Sequence, residues 1–599
     1  MNLLIVLIKS RYFVYFLLKG RFFGILFKIK EMTEDHQDNN NLDQKPKLSH
    51  NFRNSKPLSF NERIGVWLPL MLATMLGIGI MVGLSMRNQS NHSILFASDQ
   101  DGNMKRMNKV EEILRFIDAR YLEGVDLESL EDAAIEGLLK KLDPHSSYIP
   151  RNRLKGVKES LQGNFEGIGV EFFMLDDTIL IVGVVPDGPS YKAGIKQGDR
   201  FIRVNDSLVA GVGLKNKDVV EKLKGEAGSI VKVQVIHRGE KKPVSLTITR
   251  GQIPMSSVET SLMLDEKTGY IKVSRFSGQT FEEFMKALEE LTQKKGMKDL
   301  IIDLRGNPGG YLSEATDILN QLFDAKRLLV YTEGRSYKRK EYKSNGKAYF
   351  KVGRVAVLIN EGSASASEIV AGAIQDNDRG LIVGRRSFGK GLVQEQYDLS
   401  DSSALRLTVA RYYTPSGRLI QRPYREGESD EYDEDLDVRY TKGELFHRDS
   451  IKISDSTVYK TTGGRIVYGG GGIIPDIFVP IDTITYNSYF LTLNLFVPAF
   501  VYRYMDENIG SFGNYKTALA FADRYTVSES MVNDFYKYAL SKGDLDENKA
   551  IWPLAKEELA LRIKAQIGQQ LFRDEGYYLC LSKKDKDVRK AMEELKRKK

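Results

Sequence analysis

The sequence predicts an α+β multidomain chain, and three observations carry that prediction. A length of 599 residues exceeds one ordinary domain and implies about two to four. Residues 163–250 break into short β runs, whereas residues 251 to about 400 alternate buried apolar runs with helical segments, as an α/β core does. The stretches before 160 and after 482 carry helical periodicity, and residues 64–86 are wholly apolar.

Composition narrows the function classes. The chain is 42% hydrophobic and 28% charged, with a formal net charge of +8. That surplus is not gathered into basic blocks interleaved with aromatics, so no nucleic-acid partner is expected. The basic run from Lys583 to Lys599 alternates with Asp and Glu and reads as a solvated helix. One cysteine, Cys580, excludes an intramolecular disulfide. The six histidines are scattered without HExxH or paired spacing, so no metal and no other cofactor is expected.

Residues 1–31 alternate short apolar runs with Lys and Arg, and no run is long enough to span a bilayer. From Met32 the sequence turns polar, and translation starting there is one expectation. Residues 64–86, IGVWLPLMLATMLGIGIMVGLSM, hold no charge over 23 positions and predict one transmembrane helix. Lys45, Lys47, Arg53, Lys56 and Arg63 precede it. The positive-inside bias keeps residues 1–63 in the cytoplasm and places everything after about 87 outside, in a periplasm if the cell has two membranes. The predicted location is therefore the inner (cytoplasmic) membrane, single-pass, with the working part extracytoplasmic.

Residues 104–160 predict a helical arm, with Val110, Ile113, Leu114 and Ile117 and then Leu130, Ala133, Leu138 and Leu142 on helical faces. Such an arm suits either dimerisation, giving a homodimer, or the capping of a domain. The periodic run itself covers 104–142, and LDPHSSYIP at 142–150 ends that run.

The β runs at 163–250 are GIGVEFFM, TILIVGVV, DRFIRVN, SIVKVQVIHRG and PVSLTITRG, with a helix at 217–223. Gly167, Ile168, Gly169 and Val170 form a loop whose glycines let successive N–H groups face a free carboxylate while the next strand pairs with a peptide. With AGIKQGD behind it, the segment resembles a PDZ domain, and the resemblance implies that these four residues bind a substrate C-terminus.

In residues 251–481, DLIIDLRGNPGG gives a buried strand and a glycine turn, and VAVLINEGSASASEIVAGAIQDNDRGLIVGRRSFGKGLVQ (355–394) gives strand, small-residue turn, helix, strand and a glycine-flanked lysine. Ser365 sits at the turn. A serine needs a base, no histidine is at hand, and Lys390 serves only if desolvation lowers its pKa. Gln394 is placed to hold its amine. The small residues suit a helix N-terminus that stabilises an oxyanion, with a second donor from the Asn307, Pro308, Gly309, Gly310 loop. Read from residues alone, SASAS also fits a helix cap with close packing. Residues 482–599 predict a helical extension, with 486–500 a core segment and 554–572 amphipathic.

The block 355–394 resembles the active-site block of the carboxy-terminal processing (tail-specific) proteases, serine/lysine endopeptidases. LDPHSSY (142–148), GYIKVSRF (269–276), DLRGNPGG (303–310), YYTPSGRLIQ (412–421) and GGGGIIPD (469–476) match in order. The resemblance covers roughly 105–480. It implies a crotonase-like α/β protease core with Ser365 as nucleophile, Lys390 as general base and Gln394 as its orienting partner. Ala366 and either Gly309 or Gly310 supply the oxyanion amides. It implies protein or peptide substrates with exposed C-termini, captured by the PDZ domain; adaptor and physiological substrate stay open. The rival class is a non-catalytic PDZ scaffold or pseudo-protease that binds tails without cutting.

Overall fold

A computed structural model describes residues 73–76, 109–425, 432 and 434–597. The predicted span at 64–86 lies outside the described residues apart from one helical turn at 73–76, as do residues 1–63 and the linker before 109. Among the described residues no helix is long and apolar enough to cross a membrane. The chain divides at residue 130 into two units. Of the smaller, the structure describes that turn, the helix Lys109–Arg120 and the start of the helix Leu127–Leu139. The predicted arm is thus not one run: Lys109–Arg120 and Leu127–Leu139 part where Gly124 and Asp126 interrupt the apolar period, and a short strand, Ser147–Ile149, precedes a third helix, Arg151–Gln162.

The larger unit is organised by a six-stranded sheet, ordered Val258–Met263, Thr268–Val273, Asp299–Asp303, Val355–Ile359, Gly380–Gly384, Ile477–Phe478. All its pairings are parallel except the first. The inner strands are buried on both faces, which is why they read as continuous apolar runs. Alternate residues serve two cores. Leu300, Ile302, Val355, Val357 and Ile359 pack against the helices Thr280–Glu289, Leu312–Asn320 and Ala366–Asp376. Ile301, Ala356, Leu358 and Val383 point the other way, into a core built by the C-terminal helices.

Residues 488–597 therefore form the second cover of the central sheet. The predicted single segment at 486–500 is two helices, Ser488–Asn494 and Val497–Glu507, because Pro498 lacks an N–H and opens the second. The amphipathic stretch extends into Trp552–Ser582, which breaks at Phe572 and Arg573, where Gly568 and Gly576 bring the backbones together. The last helix, Lys586–Lys596, is not solvated all round. Its Val588, Ala591 and Leu595 are buried and so is Asp587. The basic alternation described its outer face alone.

The PDZ domain closes its own core around Ile179, Phe201, Val219 and Val233. Its sheet begins with Val170–Leu175, which among the described residues pairs only with Thr178–Val184 and so leaves one edge open. The outer face of that hairpin meets the C-terminal helices. Phe173 packs on Tyr502 at 5.1 Å between ring centroids, with Leu175 and Leu180 beside them. Ion pairs ring this contact: Arg200–Asp506 at 2.6 Å, Arg238–Asp506 at 2.9 Å, Arg573–Glu171 at 3.2 Å, and Arg503–Asp176.

An antiparallel sheet completes the core. Ala404–Tyr413 pairs with Ser147–Ile149, Leu328–Glu333 and Leu392–Asp398. It carries Gln394 and, just before its strand, Lys390.

Candidate active site

Three turns at the C-terminal ends of neighbouring parallel strands converge. The first follows Asp299–Asp303 and runs through Asn307 to Gly310; the second follows Val355–Ile359 and ends at Ser365; the third follows Gly380–Gly384 and ends at Lys390. Clefts beyond the carboxyl ends of parallel strands are where such sheets bind ligands. Ser365, Lys390, Gln394, Gly309 and Gly310 all line one cavity of about 1020 Å³, which Lys158 and Leu161 of the helix Arg151–Gln162 also border.

Ser365 precedes the helix Ala366–Asp376 with φ +55° and ψ −113°. A side-chain-bearing residue seldom takes positive φ, so the turn is strained and held by its surroundings. The hold is Glu368, fully buried. Its carboxylate accepts from the Ser365 amide at 2.8 Å, the Gly389 amide at 2.7 Å, the Lys390 amide at 2.9 Å and the Ser387 hydroxyl at 2.6 Å. One buried carboxylate thus ties the serine turn to the lysine turn. Burial pushes its carboxyl up to about 7, and the four donors oppose that push by favouring the charge.

Lys390 Nζ donates to Gln394 Oε1 at 2.8 Å. The Gln394 amide donates in turn to the His145 carbonyl, which orients its oxygen toward the lysine. Burial, and then the charge of Arg406, lower the Lys390 amine from 10.5 to about 8, while Glu368 and Asp143 pull the other way. His145 is no rival base: burial first, then Lys390, hold its imidazole at about 3. Its ring nitrogen meets the Tyr432 hydroxyl at 2.9 Å. Tyr412, buried, places its hydroxyl against the carbonyls of both Ser365, at 3.0 Å, and Lys390.

The glycine turn presses against the serine. A Cβ on Gly309 would stand 2.7 Å from the Ser365 Cβ and 2.9 Å from the Ala366 nitrogen, and its φ is +100°. Only glycine fits there. The Gly309 amide is already donated to Asn307 Oδ1 at 2.8 Å. Asn307 also accepts the Ala364 amide at 2.9 Å on its carbonyl and donates its side chain to the Val273 carbonyl at 3.0 Å.

The structure brings together Ser365, Ala366, Lys390, Gln394, Gly309 and Gly310. Gly167, Ile168, Gly169 and Val170 lie apart from the catalytic cavity, at the entry to the open-edged PDZ strand. Gly169 has φ +74°, and the carbonyls of Ile168 and Gly169 accept from Ser190 and Val185 at 3.0 Å each. The Ile168 side chain is buried in the PDZ core, so it offers its backbone to the loop. Sequence reasoning missed Glu368, His145 and Tyr412 as site-building residues, and named Asn307 only as part of the oxyanion loop. Each stands inside a block already singled out, three residues after the serine or within LDPHSSY, DLRGNPGG and YYTPSGRLIQ.

A serine on a strained turn, a half-buried lysine in the same cavity and a PDZ-like module on one chain fit a serine-type endopeptidase with a PDZ domain. Comparison with known proteins agrees. Peptidase family S41 matches residues 267–427, a PDZ domain matches 167–248, the activating protease CtpB N-terminal domain matches 74–152, and a family of unknown function matches 489–574. The carboxy-terminal processing protease CtpB of Bacillus subtilis is 39% identical over 53% of this chain and 66% of its own length. The carboxy-terminal-processing protease of Bartonella bacilliformis is 35% identical over 54% of this chain and 74% of its own. Among solved structures, a photosystem II D1 C-terminal processing protease is 27% identical, covering 63% of this chain and 91% of that one, with a TM-score of 0.31. The chain belongs to the carboxy-terminal processing proteases.

Proposed function

We propose that the protein is a membrane-anchored serine/lysine endopeptidase that cleaves the C-terminal regions of exported proteins. The observation that carries the chemistry is the half-buried Lys390 amine, bonded to Gln394 and lining one cavity with Ser365. An amine with pKa about 8 is neutral in a useful fraction of molecules near neutral pH. Neutral Lys390 takes the proton of the Ser365 hydroxyl as Oγ attacks the scissile carbonyl. The Ala366 amide and a glycine amide of the 307–310 turn receive the oxyanion. The commitment of Gly309 to Asn307 favours Gly310 as that donor. The tetrahedral intermediate collapses, the leaving amine takes the proton from Lys390, and water, deprotonated by the same lysine, releases the acyl group.

The open edge of Val170–Leu175 beside the Gly167–Gly169 amides supports capture of a substrate C-terminus as an added strand. The relatives' printed names, carboxy-terminal processing protease, support the same substrate class. Anchoring rests on the apolar stretch 64–86, which implies an extracytoplasmic catalytic part.

The test is cleavage of an unfolded tailed protein by the full chain and by the variants Ser365→Ala and Lys390→Ala. Both are expected to be folded and inert. Substantial cleavage by either refutes the assignment, and an inert wild type that still binds tails favours the scaffold reading. Anchoring fails if the full chain is recovered free of membranes after cell fractionation.

A further inference from the structure

The three active-site turns have a common root outside the catalytic cavity. Arg305 directly precedes the glycine turn, four residues before Gly309; Glu361 lies four residues before Ser365; Arg385 lies five before Lys390. The two arginines face carboxylates from the far end of the chain, and Glu361 joins them through Arg385. Asp587 Oδ2 is 2.7 Å from Arg305 Nη1 and 4.0 Å from Arg385 Nη1. Asp585 accepts from the same Arg305 at 3.0 Å on Oδ1, and its Oδ2 forms an ion pair with the Arg305 guanidinium at 2.9 Å. Arg385 continues to Glu361 at 2.9 Å, and Arg305 is backed by Asp303 at 2.6 Å, itself bonded by Tyr270 and Lys272. Asp587 is buried.

We propose that Asp585 and Asp587 are positioning residues for the reaction: from the C-terminal helix they lock the roots of the oxyanion, nucleophile and lysine turns in mutual register. The inference rests on the Ser365/Lys390 reading and extends it to a segment at the far end of the chain. Removing one carboxylate from such a network leaves a buried guanidinium short of a partner, which reorients to find one. Arg305 is joined through the chain to Gly306, whose amide donates at 2.8 Å to Asn360 at the start of the serine turn, so a backbone shift at Arg305 reaches both turns. A displacement of about 1 Å in such a site costs about a hundredfold in rate. The dependence also gives the C-terminal helices a task besides covering the sheet: a chain whose last helix has not docked lacks an aligned site.

The design of the test exploits the helix cap. Asp585 caps the helix Lys586–Lys596 by accepting from the amides of Asp587 and Val588. Asparagine caps as well as aspartate, so Asp585→Asn removes the charge and keeps the cap. The full chain would carry Asp585→Asn, Asp587→Asn, Asp587→Glu, the exposed neighbour Lys586→Gln as control, and Ser365→Ala. Tailed-substrate kinetics, thermal unfolding and labelling of Ser365 by a fluorophosphonate are read together. Expected is a kcat about tenfold or more lower in Asp587→Asn, a smaller loss in Asp585→Asn, KM within about twofold, slowed labelling, and partial recovery in Asp587→Glu, with Lys586→Gln unchanged. If Asp587→Asn does not fold, Asp585→Asn decides alone. Wild-type kcat in the folded carboxamide variants, with Ser365→Ala inert, overturns this inference and spares the catalytic reading. Cleavage by Ser365→Ala overturns both.

Discussion

Lys390 sets the most demanding prediction, because its amine must be neutral to act. Its amine sits at about 8 rather than 10.5, chiefly through burial. At pH 7 that leaves about a tenth of the enzyme with a neutral lysine, roughly 300-fold more than an unshifted amine allows. The same shift has a stability consequence. The folded pKa is depressed, so between about 8 and 10.5 the unfolded chain holds the proton more tightly and stability rises as pH climbs through that window. Below it the full cost, about 3 kcal/mol, weighs on the native state. The perturbations are pH itself and two variants, Arg406→Gln and Lys390→Met. The assay is kcat/KM for a short peptide from pH 6 to 10, which reports the free enzyme. The rate is expected to rise tenfold per pH unit and to level near 8. Arg406 is a cation that pushes Lys390 down, so Arg406→Gln should move the break upward and lower the rate at pH 7. Lys390→Met, inert, should be more stable than wild type at pH 7 by up to about 3 kcal/mol, with the gain gone by pH 11. A rate flat from pH 6 to 9, or a break that Arg406→Gln leaves in place, refutes the neutral-lysine argument.

Other expectations follow from the same contacts. Glu368→Gln turns an acceptor of four donors into a group that is half donor, so activity should drop at least about a hundredfold and stability by about 1–3 kcal/mol; near-normal cleavage would deny Glu368 its role as a tie. Gly169→Ala forces a Cβ into positive φ and to 3.0 Å from Ile253, at about 1–2 kcal/mol. It should weaken C-terminal peptide binding, measured by anisotropy, and slow tailed substrates far more than short peptides; equal losses would make the PDZ domain purely structural. Asp506→Asn removes two ion pairs from the PDZ contact, each worth about 0–1 kcal/mol. Hydrogen exchange across Thr178–Val184 should quicken, and unchanged protection would show that Phe173 and Tyr502 hold the contact alone.

Much of this site is legible in the sequence for a physical reason. Its parts are local: a buried apolar run, a patch of residues too small to fill space, and a helix place Ser365, and glycines flanking a lysine announce close packing. The illegible parts depend on distance. Glu368 in the first turn of a helix reads as an ordinary favourable charge near the dipole, and only the fold brings Gly389 and Lys390 onto the same carboxylate. Gly309 and Gly310 look equivalent until Asn307 claims one amide. The C-terminal helices display an amphipathic period, which states that a face is buried and never against what. Their partner, the second face of the central sheet, shows only as strands without polar alternation. Asp585 and Asp587 sit among lysines and pass for surface charge.

The left-handed turn at Ser365 has a consequence for how such a protein changes over generations. Ser365, the proposed nucleophile, occupies a conformation costly for any side chain, and glycine alone would relax it. Stability and proteolysis therefore pull this one position in opposite directions. In a lineage relieved of the need to cut peptides, drift to glycine at 365 gains stability at the moment activity is lost. A decaying copy of this enzyme would be recognised by that relaxed turn, standing in an otherwise intact core, before any erosion of the fold.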